Sequence, residues 1–266
     1  MEKVSIMFSG GLDSLIMYNY AIACDLDPVC IYVDLGHPYA HKEKAAMARR
    51  SRWMPKVEII ELSTLWHLIE KRMSNQIIPS RNVLLAVIGG MFSPEVWLGA
   101  LDGEQLGKEH DKSPRFFEDT TQLLTFTNEF FQNETRVVAP FAYMSKSETL
   151  RWALDNGIPL EELLATSSCY DGEKGKCGKC LTCHKRALAF AANGIIEPGH
   201  DSNPFMSDYH KEMCVEMPKA VANNDYSRFT RKRISEFYKA LIKLRELNIP
   251  HVEPEPHTTP KNQHSD

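Results

Sequence analysis

The hexapeptide Ser9-Gly10-Gly11-Leu12-Asp13-Ser14 stands between a short apolar run, Lys3 to Phe8, and a helical pattern, Leu12 to Cys24. The apolar run predicts a buried strand, because it is short and continuous and ends in glycines. The two glycines let the backbone approach a ligand closely, and the helix directs unpaired N–H groups and its positive dipole end at the loop. The serine hydroxyls add donors. The sequence therefore predicts a strand, loop and helix that together cradle a pyrophosphate.

Strands and helices alternate along most of the chain. Further strands are predicted at Pro28 to Asp34, Val57 to Leu62, Glu95 to Ala100 and Arg136 to Ala139. Further helices are predicted at Ala40 to Arg52, Asn82 to Phe92, Phe116 to Phe131 and Ser145 to Asn156. This alternation indicates an α/β fold with a parallel sheet covered by helices on both faces. Because such sheets bind ligands beyond the carboxyl ends of their strands, the loops after Phe8, Asp34 and Ala100 should line one crevice.

The composition is that of an ordinary globular protein, with 43% hydrophobic and 25% charged residues in a chain of 266 residues. The net charge of −4 gives no overall basic field, which argues against direct binding to nucleic acid. No apolar run is as long as a membrane span, and the first residues lack the pattern of a signal peptide. We therefore expect a cytoplasmic protein with no membrane partner.

Seven cysteines are present, and four of them fall within fifteen residues. These four are Cys169, Cys177, Cys180 and Cys183. In a chain without an export signal this crowding indicates metal binding rather than disulfides, and four thiolates suit a closed, structural zinc site in the loop 169–183. An iron–sulfur cluster also takes four cysteines and stays open as an alternative. His184, next to the last cysteine, is expected to begin a helix rather than to bind the metal.

Together, the hexapeptide and the cysteine cluster resemble a known family. The hexapeptide resembles the SGGxDS loop of the ATP-pyrophosphatase superfamily. The stretch Ser168 to Arg186 resembles the SCY…CGxCxxCxxR signature of the 7-cyano-7-deazaguanine synthases. Weaker matches are Pro79 to Asn82 (PxRN), Gly99-Ala100 (a glycine that ends a strand), Pro140-Phe141 and Ser145 to Glu148 (PL…TKxE). The likeness runs from about Lys3 to Gly194.

The resemblance implies a Rossmann-like sheet of the adenine nucleotide alpha hydrolase type, with ATP, Mg²⁺ and Zn²⁺ as cofactors. It implies that 7-carboxy-7-deazaguanine is adenylated, that ammonia displaces AMP, and that a second adenylation of the amide leads to a nitrile. ATP binding is thereby assigned to Ser9, Gly10, Gly11, Leu12, Asp13, Ser14 and Val33. Catalysis is assigned to Ser9, Asp13, Ser14, Arg81 and Lys146, with Asp13 also holding Mg²⁺.

Two segments depart from the family pattern. Glu109 to Phe116 stands where the family has a YPDC-like segment, and its tyrosine and cysteine have no counterpart here. Gly36-His37 stands where the family usually has Gly-Gln. Asp111 or Asp102 is the predicted substrate-binding acid, because an aspartate accepts from the N–H edge of a guanine-like base. A solvated acidic loop remains the alternative for both.

The chain is divided into an ATP-binding domain, 1–200, a helical extension, 201–250, and a flexible tail, 251–266. In the extension, Ser227 to Asn248 predicts a helix whose apolar stripe either packs on the parent domain or forms a homodimer contact. Two other functions stay open. One is a related adenylating enzyme acting on a protein or tRNA, and the other is a nucleotide-binding zinc module without catalysis.

Overall fold

The computed structural model describes residues 1–72, 78, 80–104, 110–129, 134–170 and 175–254. Five strands form one parallel sheet: β1 (Lys3–Met7), β2 (Asp27–Asp34), β3 (Val57–Glu61), β4 (Glu95–Trp97) and β5 (Arg136–Val138). Their order is β3-β2-β1-β4-β5. The central strand β1 pairs with two neighbours, so that Ile6 lies between Cys30 and Trp97. The predicted parallel α/β sheet is confirmed.

Ten α-helices accompany the sheet within the described residues. They are α1 (Leu12–Ala23), α2 (Ala40–Met47), α3 (Thr64–Ile69), α4 (Arg81–Gly90), α5 (Pro114–Asn128), α6 (Lys146–Asp155), α7 (Leu160–Leu164), α8 (Leu181–Ala192), α9 (Asp208–Ala222) and α10 (Arg231–Glu246). None of them is both long and apolar enough to cross a membrane. The short helices α3 and α7 were not predicted from the sequence, and α9 lies within the extension 201–250 that was predicted to be helical.

The sheet is covered on both faces, and the alternation of side chains along β1 shows how. Val4, Ile6 and Phe8 join a core that includes residues of α1 and α6. Met7 points the other way, into a core that includes residues of α4 and α5. Successive side chains of a strand point to opposite faces, so a continuous apolar run is the pattern expected for a strand buried on both sides.

The connection of the strands places a crevice at one edge of the sheet. The chain winds from β1 outward to β2 and β3, then returns to place β4 on the other side of β1. In open parallel sheets, ligands bind at the carboxyl ends of the strands where the strand order reverses. Here that point lies between β1 and β4, and the hexapeptide follows β1 directly.

The C-terminal helices α9 and α10 pack against α8 around a third apolar core. Ile234, Phe237, Leu241 and Leu244 of the predicted stripe are buried in this core, so the stripe packs on the parent domain. His184 was predicted to begin a helix. Helix α8 begins three residues earlier, at Leu181, because Cys180 takes the extended conformation of an N-cap residue.

The extension continues slightly beyond its predicted end. The backbone N–H of Val252 donates to the carbonyl of Phe205 at 3.1 Å, and Glu253 pairs with Arg245. These contacts place residues 251–253 with the helical extension rather than with the tail. Most of the predicted tail, 255–266, lies outside the described residues.

Candidate active site

A cavity of about 210 Å³ opens at the carboxyl ends of β1, β2 and β4. Its polar and aromatic lining consists of Ser9, Asp13, Ser14, Tyr32, His37, Tyr39, Glu43, Arg81, Asn82, Lys112 and Tyr170. Its apolar floor includes Met7, Ile31, Val33, Leu35, Leu85 and Leu98. The predicted crevice is therefore present, and the loops after the first, second and fourth strands all contribute to it.

The hexapeptide forms one wall of the cavity, and its shape depends on Gly10. This residue has a φ of +70°, which side-chain-bearing residues rarely adopt. A Cβ atom there would also lie 3.1 Å from the carbonyl oxygen of Glu43 and 3.0 Å from Cγ of Met47. Gly11 is the N-cap of α1, and the hydroxyl of the buried Ser14 donates to its carbonyl at 3.0 Å. The loop thus presents the first turn of α1 to the cavity.

Asp13 and Lys146 form an ion pair at the edge of this loop. Nζ of Lys146 lies 2.6 Å from both carboxylate oxygens of Asp13. Lys146 is the first residue of α6, which begins with a capping box formed by Ser145 and Glu148. The two residues are 133 positions apart in the chain. The fold therefore brings the two predicted charged groups together, and the lysine offsets the charge of the aspartate.

An aromatic wall, formed by His37, Tyr39 and Tyr170, also lines the cavity. The ring of Tyr39 lies 4.1 Å from the ring of His37 and 4.7 Å from the ring of Tyr170, measured between centroids. Burial raises the pKa of Tyr39 to about 12, although the neighbouring Arg81 guanidinium, which also hydrogen-bonds to it, opposes the shift. Tyr39 is therefore neutral near pH 7. These residues offer an aromatic surface of tilted rings, with interplanar angles of 55° and 36°, next to the cationic Arg81.

Glu43 of α2 links this wall to the sheet. Its Oε2 atom accepts from the hydroxyl of Tyr32 at 2.8 Å and lies 3.0 Å from Nε2 of His37. Burial lowers the pKa of Arg81, but Tyr39, Tyr170, Glu43 and Asp111 outweigh this effect and raise it. Arg81 therefore stays cationic at the cavity. Tyr39, Glu43 and Tyr170 had no predicted role in the sequence, although Tyr170 lies within the matched SCY stretch.

The two predicted substrate acids lie elsewhere than in this lining. Asp102 accepts a hydrogen bond from Thr230 and faces a separate cavity of about 20 Å³. Asp111 lies in a short 3-10 turn, where its backbone carbonyl accepts from Asn82 at 3.2 Å. From the same turn, Lys112 reaches the central cavity. Among the described residues of this segment, a lysine rather than an aspartate borders the larger cavity.

Glu104 connects the two cavities. It accepts from Lys112 at 3.2 Å and lies 3.9 Å from Nζ of Lys185. Burial alone would raise the pKa of Glu104, but Lys112, Lys185 and Lys146 outweigh that effect and lower it to about 2. Glu104 is therefore a carboxylate at neutral pH, and it holds the turn that carries Lys112.

The four clustered cysteines meet at one point, as predicted. The Sγ atoms of Cys169, Cys177, Cys180 and Cys183 all lie within 4.8 Å of one another. Tetrahedral zinc at Zn–S distances of about 2.3 Å needs sulfurs about 3.8 Å apart. The backbone N–H groups of Lys179 and Cys180 both donate to Sγ of Cys177 at 3.4 Å, which favours a thiolate there. The donor set and its geometry fit a closed tetrahedral metal site.

A network of buried ion pairs lies next to the cysteine cluster, because Lys176 precedes Cys177 and Arg186 follows Cys183 in the chain. The side chain of Glu197 is 0% exposed and accepts from Nε of Arg186 at 2.7 Å. Lys176 and His200 contact the same carboxylate. The guanidinium of Arg186 also donates to Thr166 at 2.6 Å and to the carbonyl of Leu163 at 2.9 Å.

Comparison with known proteins identifies the family. A family model described as "Queuosine biosynthesis protein QueC" matches residues 60–194, which is half of the chain. The chain belongs to the QueC family. The match begins within β3 and includes the cavity segments around Arg81 and Lys146 and the entire cysteine cluster. It ends at the close of α8, so α9 and α10 lie beyond it.

Several curated relatives share this similarity. A protein of Marinomonas sp. named 7-cyano-7-deazaguanine synthase is 27% identical, with the alignment covering 74% of this chain and 97% of the relative. A protein of the same name from Methanosarcina mazei is 33% identical over 46% of this chain and 52% of the relative. A solved structure titled as a predicted subunit of tRNA methyltransferase, from Methanocaldococcus jannaschii, is 16% identical over 76% of this chain and 94% of that chain, with a TM-score of 0.37. That likeness is too low to support any argument here.

In this QueC-family chain, the fold brings most of the predicted site residues to one place. Ser9, Asp13, Ser14, Val33 and Arg81 line the central cavity. Gly10, Gly11 and Leu12 form the loop beneath it, and Lys146 reaches it through Asp13. The matched residue Pro79 lies outside the described residues.

Proposed function

We propose that this protein converts 7-carboxy-7-deazaguanine and ammonia into 7-cyano-7-deazaguanine with consumption of ATP. One observation carries the proposal. The cavity where the strand order reverses is lined both by the SGGLDS loop and by an aromatic wall with Arg81. These two walls suit a nucleotide phosphate and a planar anionic base. The names of the curated relatives support the same reaction.

In this proposal the hexapeptide binds the phosphates of ATP. The N–H groups of the first turn of α1 point at the loop, and a helix N-terminus favours an anion. Gly10 and Gly11 allow this close approach. Asp13 is the residue that would hold Mg²⁺, which would neutralise charge on the pyrophosphate leaving group. Lys146 contacts both oxygens of Asp13 in this structure, which places its ammonium group beside the proposed Mg²⁺ and phosphate site.

The base is proposed to lie against the aromatic wall. Tyr39 and Tyr170 provide aromatic faces on which a base can stack, and such stacking contributes about 1–3 kcal/mol per base in nucleic-acid complexes. Arg81 stays charged and lies at the edge of this surface, where it can hold a carboxylate. These positions bring the carboxylate toward the hexapeptide and therefore toward the α-phosphate.

The chemistry balances with two molecules of ATP. A carboxylate oxygen attacks the α-phosphorus and pyrophosphate leaves. Ammonia then attacks the acyl carbon, AMP leaves with that oxygen, and a proton is released to give the amide. The amide oxygen attacks the α-phosphorus of a second ATP and a second pyrophosphate leaves; loss of AMP and two protons from the adenylated amide then gives the nitrile. Each of the two original carboxylate oxygens therefore ends in a separate AMP.

Zinc is proposed to have a structural role. Four cysteines complete a tetrahedral coordination shell, so no position remains for a substrate. The cluster fixes the start of α8. This helix carries Lys185, which borders the small cavity, and Arg186, which belongs to the buried ion network. Metal in this site would stabilise the fold without taking part in the reaction.

The deciding experiment follows the oxygen atoms. Zinc-loaded protein is incubated with ATP, Mg²⁺, an ammonium salt and 7-carboxy-7-deazaguanine labelled with ¹⁸O in the carboxylate. We expect the nitrile by mass spectrometry and one ¹⁸O atom in each of two AMP molecules. Without ammonium, neither amide nor nitrile should form.

Two other outcomes would replace the proposal. AMP formation only with a protein or tRNA acceptor would indicate a related adenylating enzyme with another substrate. Folded, zinc-loaded protein that binds ATP but forms no AMP with any of the three acceptors would indicate a nucleotide-binding module without catalysis.

A further inference from the structure

The first turns of α10 contact two segments of the candidate active site. Thr230, the N-cap of α10, donates to Asp102 in the segment after β4. Lys232 donates to the carbonyl of Tyr143 at 2.7 Å, in the segment before α6. The two segments also meet each other, since the N–H of Asp102 donates to the carbonyl of Met144 at 2.9 Å. The start of α10 therefore joins the segments that lead to Glu104 and to Lys146.

Gly103 shows that this contact is close. Its φ is +81°, and a Cβ atom there would lie 2.6 Å from Cδ of Arg233. The aliphatic part of Arg233 thus occupies the space that a side chain at position 103 would need. Helix α10 is packed directly on the backbone of the segment that carries Glu104.

Glu236 makes the most specific of these contacts. Its side chain is buried, with 7% of the residue exposed, and its Oε1 atom accepts from the N–H of Ser147 at 2.6 Å. Ser147 is the second residue of α6, 89 positions away in the chain. Helix N-termini leave their first N–H groups without intrahelical partners. Ser145 satisfies the N–H of Glu148, and Glu236 satisfies that of Ser147.

This second cap acts on the residue that starts the helix. Lys146 is the first residue of α6, and its ammonium group reaches Asp13 on the opposite side. Lys146, Arg233 and Glu236 all border the same small cavity. A carboxylate at this point offsets both the positive end of the helix dipole and the charge of the lysine. Glu236 therefore acts on the position and on the electrostatic surroundings of Lys146 together.

The contacts come from a part of the chain that the family comparison does not reach. The family model ends at residue 194. The alignment to the Marinomonas protein covers 97% of that relative and 74% of this chain, so about a quarter of this chain has no aligned counterpart in it.

We propose that Glu236 is a positioning residue that holds Lys146 at Asp13 and the phosphate-binding loop, so that the C-terminal extension is a working part of the active site. The proposed effect on turnover rests on the adenylation reaction proposed above. The effect on Lys146 itself does not depend on that reaction. The two parts can therefore be tested separately.

The first test measures Lys146 directly. Glu236→Ala removes the cap and the charge, and Glu236→Gln keeps an oxygen that can accept from Ser147 while it removes the charge. Glu246→Gln, an exposed glutamate on the same helix, is the matched control. Reaction of each lysine with a small acylating reagent is followed by mass spectrometry. We expect Lys146 to react at least 3-fold faster in Glu236→Ala, with Lys239 as the unchanged internal reference and the control equal to wild type.

The second test measures turnover. We expect Glu236→Ala to lower kcat for AMP formation about 10-fold or more, and Glu236→Gln to lower it less, with zinc content and thermal unfolding close to wild type for Glu236→Gln. If Glu236 acts through Lys146, adding Glu236→Ala to a Lys146→Met protein should change kcat by less than 2-fold relative to Lys146→Met alone. Residues that act as one unit give such non-additive effects.

The outcomes separate the two proposals. Unchanged labelling of Lys146 in both Glu236 variants would overturn the positioning role. Faster labelling with unchanged kcat, or an equal loss of kcat with and without Lys146, would overturn its importance for turnover. If wild-type protein forms no AMP, the proposed function fails, while the labelling experiment still decides whether Glu236 positions Lys146.

Discussion

The cysteine cluster and the central cavity both gather charged side chains, but they expose them differently. Behind the cluster, the side chain of Glu197 is 0% exposed, and Arg186 beside it is 2% exposed. At the cavity, Asp13 keeps 30% of its side chain exposed and Lys146 keeps 14%. The charges of the first region are satisfied by one another. In the second region, Asp13 borders an open volume of about 210 Å³, and Lys146 borders the small cavity beside it.

The difference indicates what each region does. Removing one partner from a closed, buried ion network leaves a desolvated charge, and the cost falls on folding. Groups that border an open cavity keep access to solvent and to a ligand, so changes there should affect binding and turnover more than stability. The predictions below test this division, beginning with the largest expected effect.

Loss of the metal site should have the largest effect on stability. Structural zinc contributes roughly 10–16 kcal/mol of apparent free energy in small zinc-binding peptides. We expect Cys183→Ser to lose bound zinc, measured by elemental analysis, and to lower the temperature of unfolding by well over 10 °C. Cys24→Ser changes an exposed cysteine outside the cluster and should do neither. Cys183→Ser protein that keeps one zinc per chain and unfolds like wild type would contradict the assignment.

Glu197 should have the next largest effect, and it should depend on pH. Burial would raise the pKa of Glu197, but His200, Arg186 and Lys176 outweigh it and lower the pKa to about 2. Because the folded-state pKa lies below the unfolded one, this carboxylate stabilises the protein above the unfolded value of about 4.3. That contribution, on the order of 3 kcal/mol, should disappear as the pH falls from about 5 toward 2.

Urea unfolding at several pH values tests this expectation. Glu197→Gln should lower the free energy of unfolding at pH 7 by about 3–5 kcal/mol, because it leaves buried cations without their carboxylate. In the variant, the free energy of unfolding should also fall less between pH 5 and pH 3 than it does in the wild-type protein. Glu58→Gln, a half-exposed glutamate on β3, is the control and should change stability by less than about 0.5 kcal/mol. Equal stability of both variants would contradict a closed network.

Gly178 offers a smaller and more local test of the same region. It has a φ of +72°, and a Cβ atom there would lie 1.8 Å from the carbonyl oxygen of Ser202. Gly157 has a φ of +77° with no heavy atom within 4 Å of the same position. Both alanine variants should carry about 1–2 kcal/mol of left-handed backbone strain. Only Gly178→Ala should also shift the backbone, at about 1–3 kcal/mol more, and weaken zinc binding. Equal unfolding and equal zinc affinity of the two variants would show that this turn does not fix the cluster.

The same contrast explains what could be predicted from the sequence. The hexapeptide and the cysteines are short patterns within one turn or loop, so their spacing alone indicates a phosphate loop and a metal site. The strands were found because a strand buried on both faces has a continuous apolar run, as β1 does. Asp13 and Lys146 were assigned by resemblance, but their contact with each other could be seen only in the fold.

Long-range contacts account for what was missed. Tyr39 and Tyr170 form one wall, yet 130 residues separate them, and neither has a local signal beyond being aromatic. Glu236 had a weak signal, since it is an acidic residue next to Phe237 on the buried side of α10. Asp102 and Asp111 were chosen for their chemistry; the larger cavity is lined by Lys112 of the same segment, and the substrate role of the two aspartates stays a prediction.

Ser14 should show the smallest change in stability and a large change in turnover. Its buried hydroxyl lines the cavity and, within the described part of the chain, donates to the carbonyl of Gly11, the N-cap residue of its own helix. Loss of that bond should cost about 1 kcal/mol of folding free energy or less. If the hydroxyl also turns toward a phosphate of bound ATP, Ser14→Ala should lower kcat about 100-fold, as removal of one transition-state donor does elsewhere. Ser235→Ala, at an exposed serine of α10, is the control for both measurements. A Ser14→Ala protein with wild-type kcat would show that the backbone N–H groups alone bind the phosphate. A Ser14→Ala protein that lost stability in proportion to its loss of activity would show that Ser14 has a structural role.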